Sequence, residues 1–326
     1  MSDFPAARLH VVSGKGGTGK TTVAAALALA LASGGRKVLL MEVEGRQGIA
    51  QIFDTAPLPY QEKKVAVAQG GGDVYGLAVD AEQALLDYLH MFYKLSPTGL
   101  PARTLRKLGA IDFATTIAPG IQDVLLTGKV KEATTRAGDR HGRFYDAVVV
   151  DAPPTGRITR FLNITHEVGN LARVGPIKAQ SDGVMALFTS NQTAVHLVTL
   201  LEEMPVQETV EAIEELTAAR LNVGGVVVNM VRAPHLSHAD VAALEAGTAR
   251  GRLQDGLAAV GVDQGLTTAL LEEAEQFAAR ATLEEHGRDG LAHLDRPTYE
   301  LPLLPDAIDL GGLYELAAAL KSQGLA

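Results

Sequence analysis

The chain has 326 residues, 47% of them hydrophobic, with 29 basic against 38 acidic side chains and a net charge of −9. That apolar content excludes a disordered chain, and the acidic balance argues against broad electrostatic binding of nucleic acid or of an anionic membrane. There is no cysteine, so disulfides, thiolate metal sites and thiol catalysis are out of reach.

In chain order, MSDFPAARLH at the start lacks the basic and apolar segments of a secretory signal. The longest apolar run, 23–32, is too short to cross a bilayer, so a cytoplasmic location is expected. Residues 8–13 read as a short buried strand, followed by a glycine-rich loop and an alanine-rich helix that ends near Gly34-Gly35. Further apolar runs of strand length occupy 37–43 (KVLLMEV), 73–79 (DVYGLAV), 145–151 (YDAVVVD), 194–200 (AVHLVTL), 224–230 (GGVVVNM) and 299–304 (YELPLL). Runs without polar alternation are what parallel strands covered on both faces look like. Their alternation with helical segments gives an α/β fold with a doubly wound, mostly parallel sheet. Two stretches, about 81–137 and 236–294, are helical in pattern and read as additions to a single domain spanning 1–326.

VVSGKGGTGKTT, residues 11–22, satisfies the phosphate-loop pattern Gly14-x-x-x-x-Gly19-Lys20-Thr21, with an apolar strand before it and a helix after it. Glycines let backbone N–H groups point inward at phosphate oxygens, and the helix N-terminus adds a favourable dipole. The candidate ATP-binding residues are therefore Gly14, Lys15, Gly16, Gly17, Thr18, Gly19, Lys20, Thr21 and Thr22. Lys20 is expected at the β- and γ-phosphates, and the Thr21 hydroxyl on Mg²⁺. A P-loop ATPase also needs a carboxylate at the end of another strand to hold Mg²⁺ or its waters. Asp151 closes the run AVVVD; an aspartate there also serves as a helix cap or turn residue. The APPTG that follows favours the metal role, because a stiff Pro-Pro pair and Thr155-Gly156 make a shaped loop able to register a γ-phosphate.

GKGGTGKTT is a deviant Walker A motif, and DAPPTGRITRFL resembles the DTAPTGHTLRFL switch II of the ArsA family. That family includes the arsenite pump ATPases and the eukaryotic targeting factor for tail-anchored membrane proteins. EGRQGIAQIF is similar to the family's switch I, DPAHSLSDAF; PGIQD to its PG-x-x-E segment; VVVN to its adenine-contacting VVVN; and LPLLPD to its C-terminal loop. VEGRQGIAQ and LVTLLEEMPVQET look most like the single-domain actinobacterial anion-transporting-ATPase-like members.

The resemblance implies a Mg²⁺-dependent ATPase with Asn229 near the base of ATP, Pro305 of the C-terminal loop also binding ATP, and Glu44 where the family has its water-orienting aspartate. It implies a homodimer, or a heterodimer with a related ATPase subunit, in which Lys15 crosses to the phosphates of the other subunit. In physical terms, a second ammonium offsets part of the roughly four negative charges of a triphosphate; the alternative is a solvated surface lysine. The resemblance further implies a protein client or membrane partner. MFYKL, Leu105, Leu108, Ile111 and Phe113 offer an apolar groove for a client helix, or plain core.

The chain departs from the family in three places. Glu44 is one methylene longer than aspartate, which points to slow turnover, and a structural glutamate is the alternative. Arg157 replaces a histidine, and either pairs with a phosphate or carboxylate or lies on the surface. Without cysteine, neither thiolate capture of arsenite nor a Cys-x-x-Cys zinc clip is possible, and the scattered His90, His141 and His196 read as core or surface residues. A nucleotide-binding scaffold subunit with little turnover is the second reading. A positioning ATPase like MinD or ParA is the third, ranked last because the tail LYELAAALKSQGLA carries one lysine and one glutamate.

Overall fold

Among the described residues, eight strands form one sheet: β1 (Leu9–Gly14), β2 (Lys37–Glu42), β3 (Lys63–Val67), β4 (Asp73–Ala78), β5 (Ala147–Asp151), β6 (Thr193–Thr199), β7 (Val223–Val231) and β8 (Thr298–Pro302). The computed structural model describes residues 2–93, 119–138, 144–163, 176–305 and 307–326, and for 88–93, 119–121 and 176–177 the backbone alone. The spatial order is β3-β4-β2-β5-β1-β6-β7-β8. All neighbours are parallel except β3 and β4.

The expected doubly wound, mostly parallel sheet is therefore present, with one strand that the sequence analysis did not anticipate. β3, KKVAV, is an antiparallel edge strand whose two lysines are exposed. Charged residues on an edge deter pairing with other chains, and they also break the apolar run that marks an inner strand.

Eleven helices follow or separate the strands among the described residues: α1 (Lys20–Ala32), α2 (Gly48–Ile52), α3 (Ala81–Tyr93), α4 (Pro119–Thr135), α5 (Thr155–Leu162), α6 (Pro176–Phe188), α7 (Glu203–Ala218), α8 (His238–Glu245), α9 (Arg250–Ala259), α10 (Gln264–Ala292) and α11 (Leu310–Ser322). Successive strand residues point to opposite sheet faces, and the core divides accordingly. Leu9, Val11, Leu39, Met41, Val148 and Val150 join the cluster formed with α4, α5, α6 and α7. Val12, Val38, Leu40, Ala147 and Val149 join the cluster formed with α1 and α11.

α1 is apolar on every side, and residues 23–32 are all buried. An all-round apolar helix must be covered on all sides; the sheet covers one side and the Leu313, Leu316 and Leu320 stripe of α11 another. The apolar face of the C-terminal helix is thus spent inside the fold. α8, α9 and α10 lie between β7 and β8. α8 begins with a capping box in which Ser237 and Asp240 exchange side-chain-to-backbone hydrogen bonds, and α9 buries no side chain. The described histidine among the three singled out, His196, is core, while the side chain of His90 and all of His141 lie outside the described residues.

His196 of β6 lies 3.0 Å (Nε2 to Nδ1) from His10 of β1, with the rings stacked and Phe4 edge-on to His196. The Gly225 N–H donates to His196 Nδ1 at 3.2 Å, so the His196 proton sits on Nε2 and is donated to His10. Both rings are fully buried and held neutral. Burial pushes His10 down to about 4, with Arg36 adding to the fall, and pushes His196 well below the usual histidine range, with His10 adding there. In the unfolded chain both take up protons as pH falls through about 6.5. Between that value and the folded pKa the unfolded chain binds more protons, so stability drops with falling pH. Urea midpoints should therefore fall from neutral pH toward pH 5, and more steeply in the wild type than in His10→Gln. Equal slopes in the two proteins would remove the pair as the cause.

Candidate nucleotide-binding site

β1 is flanked by β5 and β6; the chain runs from β1 to β2 on one side and from β5 to β6 on the other, which opens a crevice at the carboxyl ends of the strands. The glycine loop occupies that crevice. Gly14 has φ +155°, and a Cβ there would run into the Val198 carbonyl of β6. Gly19 is the N-cap of α1 at φ +83°, and a Cβ there would strike the Asn229 amide. A side chain at either place would force the loop away from its neighbours.

The loop is tied internally and to β7. The Thr18 hydroxyl donates to the Lys15 carbonyl at 2.9 Å, and Asn229 Nδ2 donates to the Thr18 carbonyl, also at 2.9 Å. The structure thus places the buried Asn229 side chain on the phosphate loop itself. Pro305 is exposed in the segment after β8 and does not line the cavity at the loop.

That cavity holds about 310 Å³ and is lined by Gly17, Gly19, Lys20, Thr21, Thr22, Glu42, Glu44, Arg46, Gly48 and Asp151. Lys20 Nζ folds back onto the Lys15 carbonyl at 3.2 Å. Burial lowers its pKa below the usual lysine value, while the Asp151 and Glu44 carboxylates oppose that shift. The Thr21 hydroxyl donates to Asp151 Oδ2 at 2.6 Å. Burial raises Asp151 to about 6; the Thr21 hydrogen bond and Lys20 pull the other way, and Glu42 and Glu44 add to the rise. Behind Asp151, Ser13 Oγ donates to the Pro153 carbonyl at 2.6 Å, fixing the turn that begins DAPPTG against β1.

Glu44 follows β2 and sits between two guanidinium groups, Arg46 at 3.5 Å and Arg157 at 3.6 Å. Arg157 also approaches Asp123 of α4 at 3.9 Å, yet its side chain is 59% exposed. Both sequence alternatives for Arg157 thus hold at once: it faces carboxylates from the surface.

Two residues in the crevice had escaped the sequence. Glu208 of α7 accepts an ion pair from Lys15 at 2.7 Å, and its other oxygen accepts the Thr155 hydroxyl at 3.3 Å. Glu42, the last residue of β2, lines the cavity beside Asp151. No sequence signal marks Glu208, because a glutamate on an amphipathic helix is ordinary. A glutamate inside the apolar run KVLLMEV was a signal for Glu42. The residues named for a client groove, 105–113, lie outside the described residues, and of MFYKL only the backbone of 91–93 is described.

The family model of the anion-transporting ATPases (ArsA_ATPase) matches residues 7–187, more than half of the chain. The chain belongs to this family. Full-length relatives agree: ATPase BagA of Mycobacterium tuberculosis (strain H37Rv) is 54% identical over 325 residues, 98% of this chain and 94% of that protein. A protein of Aquifex aeolicus named as an arsenical pump-driving ATPase is 31% identical over 164 residues, 50% of this chain and 51% of its own length. ATPase GET3 of Kluyveromyces lactis is 26% identical over 251 residues, 68% of this chain and 71% of that one. Membership in the ArsA family supports an ATP-hydrolysing P-loop ATPase, and nucleotide binding with it. None of the helices, among the described residues, is long and apolar enough to cross a membrane.

Asn229→Leu removes the tether from β7 to the glycine loop of this ArsA-type ATPase, a loss of about 1 kcal/mol for one buried hydrogen bond. The melting temperature should fall by a few degrees and a fluorescent ATP analogue should bind several-fold more weakly. Unchanged values for both would show that the tether does not hold the loop.

Proposed function

We propose that this ArsA-family chain is a Mg²⁺-dependent ATPase that closes as a dimer across bound nucleotide and passes the resulting movement to a client or membrane partner. The observation that carries the reading is the convergence of Lys20, Thr21 and Asp151 in one cavity at the N-terminus of α1. ATP with Mg²⁺ fits the residues present. Loop N–H groups and the helix N-terminus suit phosphate oxygens, and a hydroxyl beside a carboxylate suits a hard cation. Among the described residues no cluster of three or more His, Asp or Glu side chains is arranged for a metal. Mg²⁺ takes one or two carboxylates and leaves the rest of its shell to phosphates and water. Thr21 and Asp151 would hold the cation, directly or through water, and when bound it would neutralise charge between the terminal phosphates.

The chain's own residues supply the remainder. Lys20 offsets charge on the γ-phosphate, and Glu44, steadied by Arg46 and Arg157, orients the attacking water. Lys15 is held by Glu208 of the same chain, both side chains being 31% exposed. An ion pair that exposed contributes about 0–1 kcal/mol. A triphosphate of roughly four negative charges in a closed, water-poor interface attracts an ammonium far more strongly. Closure therefore draws Lys15 off Glu208 toward the nucleotide of a second subunit. Glu208 also accepts the Thr155 hydroxyl at the start of α5, so that exchange is felt directly by the DAPPTG segment. Loss of the γ-phosphate reverses it, and the nucleotide state becomes a position of α5 and α7.

The two arginines around Glu44 also favour a second reading, a scaffold subunit that binds ATP with little turnover, because a carboxylate so paired is less free to polarise water. Phosphate release from the purified protein separates the two readings. Hydrolysis that falls at least tenfold in Glu44→Gln supports catalysis, and tight ATP binding with no release from the wild type supports the scaffold. For the dimer, Lys15→Ala should keep nucleotide binding within a few-fold of wild type while losing ATP-dependent dimerisation in analytical ultracentrifugation. Glu208→Gln should dimerise at lower ATP than the wild type. A Lys15→Ala protein that dimerises normally would overturn the interface role.

A further inference from the structure

β2 reads Lys-Val-Leu-Leu-Met-Glu, and its only acidic residue, Glu42, is 2% exposed. Glu42 stands opposite Asp151 in the β2–β5 ladder. It shares a face with Val38 and Leu40, as Asp151 does with Ala147 and Val149, and that face is the one covered by α1. Neighbouring strands lie about 4.8 Å apart, so two carboxylates project side by side toward the phosphate loop. No basic side chain pairs with Glu42 among the described residues, although like charges this close demand compensation.

The two oxygens of Glu42 differ. Oε2 accepts the Ile49 N–H at 3.2 Å, which fixes the side chain and tethers the first turn of α2. Oε1 is buried with no hydrogen-bond partner, in a residue that lines the 310 Å³ cavity together with Thr21 and Asp151. Tethering Ile49 needs one neutral acceptor, so it does not account for a carboxylate. A buried carboxylate oxygen left without a donor is costly; Oε1 is closed off from water here, and a turn of the carboxyl toward the cavity would let it accept from a water carried by a cation. Mg²⁺ dehydrates reluctantly and keeps several waters, and carboxylates in its outer shell orient those waters and raise its affinity.

We propose that Glu42 is a cation-positioning residue whose Oε1 accepts a hydrogen bond from a water of the divalent cation seated at Thr21 and Asp151. The proposal rests on the assignment of this cavity to nucleotide and Mg²⁺, and it gives that site a second carboxylate. The chain then grips its cation harder than Thr21 and Asp151 alone would, and holds the Mg²⁺–ADP product longer.

The test compares wild type, Glu42→Gln and Glu42→Asp by calorimetric titration with ADP, in MgCl₂ and in EDTA, and by the electron paramagnetic resonance of Mn²⁺ titrated with ADP present. Glutamine keeps the size and an oxygen for the Ile49 N–H. Glu42→Gln is expected to lose about tenfold or more in Mn²⁺ affinity and most of the gain that Mg²⁺ brings to ADP binding, with ADP affinity in EDTA unchanged. Glu42→Asp, which keeps the charge, recovers part of the loss and carries the test if Glu42→Gln does not fold. Wild-type Mn²⁺ affinity in Glu42→Gln, or an equal loss of ADP affinity with and without the cation, would overturn the proposal and leave Glu42 as a strut for α2. Failure of the wild type itself to bind ADP in either buffer would instead overturn the nucleotide assignment, and the proposal with it.

Discussion

A 2.6 Å hydrogen bond from the Thr21 hydroxyl to Asp151 joins the helix after the glycine loop to the strand beside it. It can form only because β5 lies next to β1 and because α1 starts where the loop ends. Both conditions come from apolar packing. β1 and β5 are buried along their whole length, and α1 is held between the sheet and α11. Each fully buried Val or Leu in those layers contributes roughly 1.5–3 kcal/mol, so the frame is far stiffer than the polar contacts it positions. The charged groups are consequently presented by elements that do not yield to them.

The crevice carries its charge in an uneven way. Glu42, Glu44 and Asp151 line it against Lys20 and Arg46, with Arg157 reaching Glu44 from the surface. Lys15, the other cation of the loop, is turned outward onto Glu208. The floor of the crevice is thus acidic where a divalent cation would sit and basic where phosphates would lie, and the remaining ammonium is held in reserve at the rim. Burial raises Asp151 and lowers Lys20, and the attraction between the two opposes both shifts.

Much of this was legible in the sequence. The inner strands announce themselves because burial on both faces leaves no room for polar alternation, and the ends of the runs at 37–43, 73–79 and 194–200 fall within a residue of β2, β4 and β6. The phosphate loop was legible because its geometry admits few residue types at Gly14 and Gly19. β3 was hidden because an edge strand pairs on one side only and tolerates Lys63 and Lys64. Glu208 was hidden for a different reason: Lys15 and Glu208 are far apart in the chain, and only the packing of α7 beside the crevice brings them together. Asn229 was placed by resemblance alone, and its bond to Thr18 is a matter of tertiary distance that no local pattern encodes.

The position of α11 has a consequence for biosynthesis. α1 is greasy on all sides, but the helix that completes its cover, α11, lies beyond the 29 residues of α10. The backbone of Asp3 is likewise tied to Gly324, at 2.7 Å. On the ribosome, the nascent phosphate-loop unit therefore waits, half dressed, until α11 has been made. Such a delay exposes sticky surface to chaperones and to aggregation, and a protein lacking α11 inherits that exposure permanently.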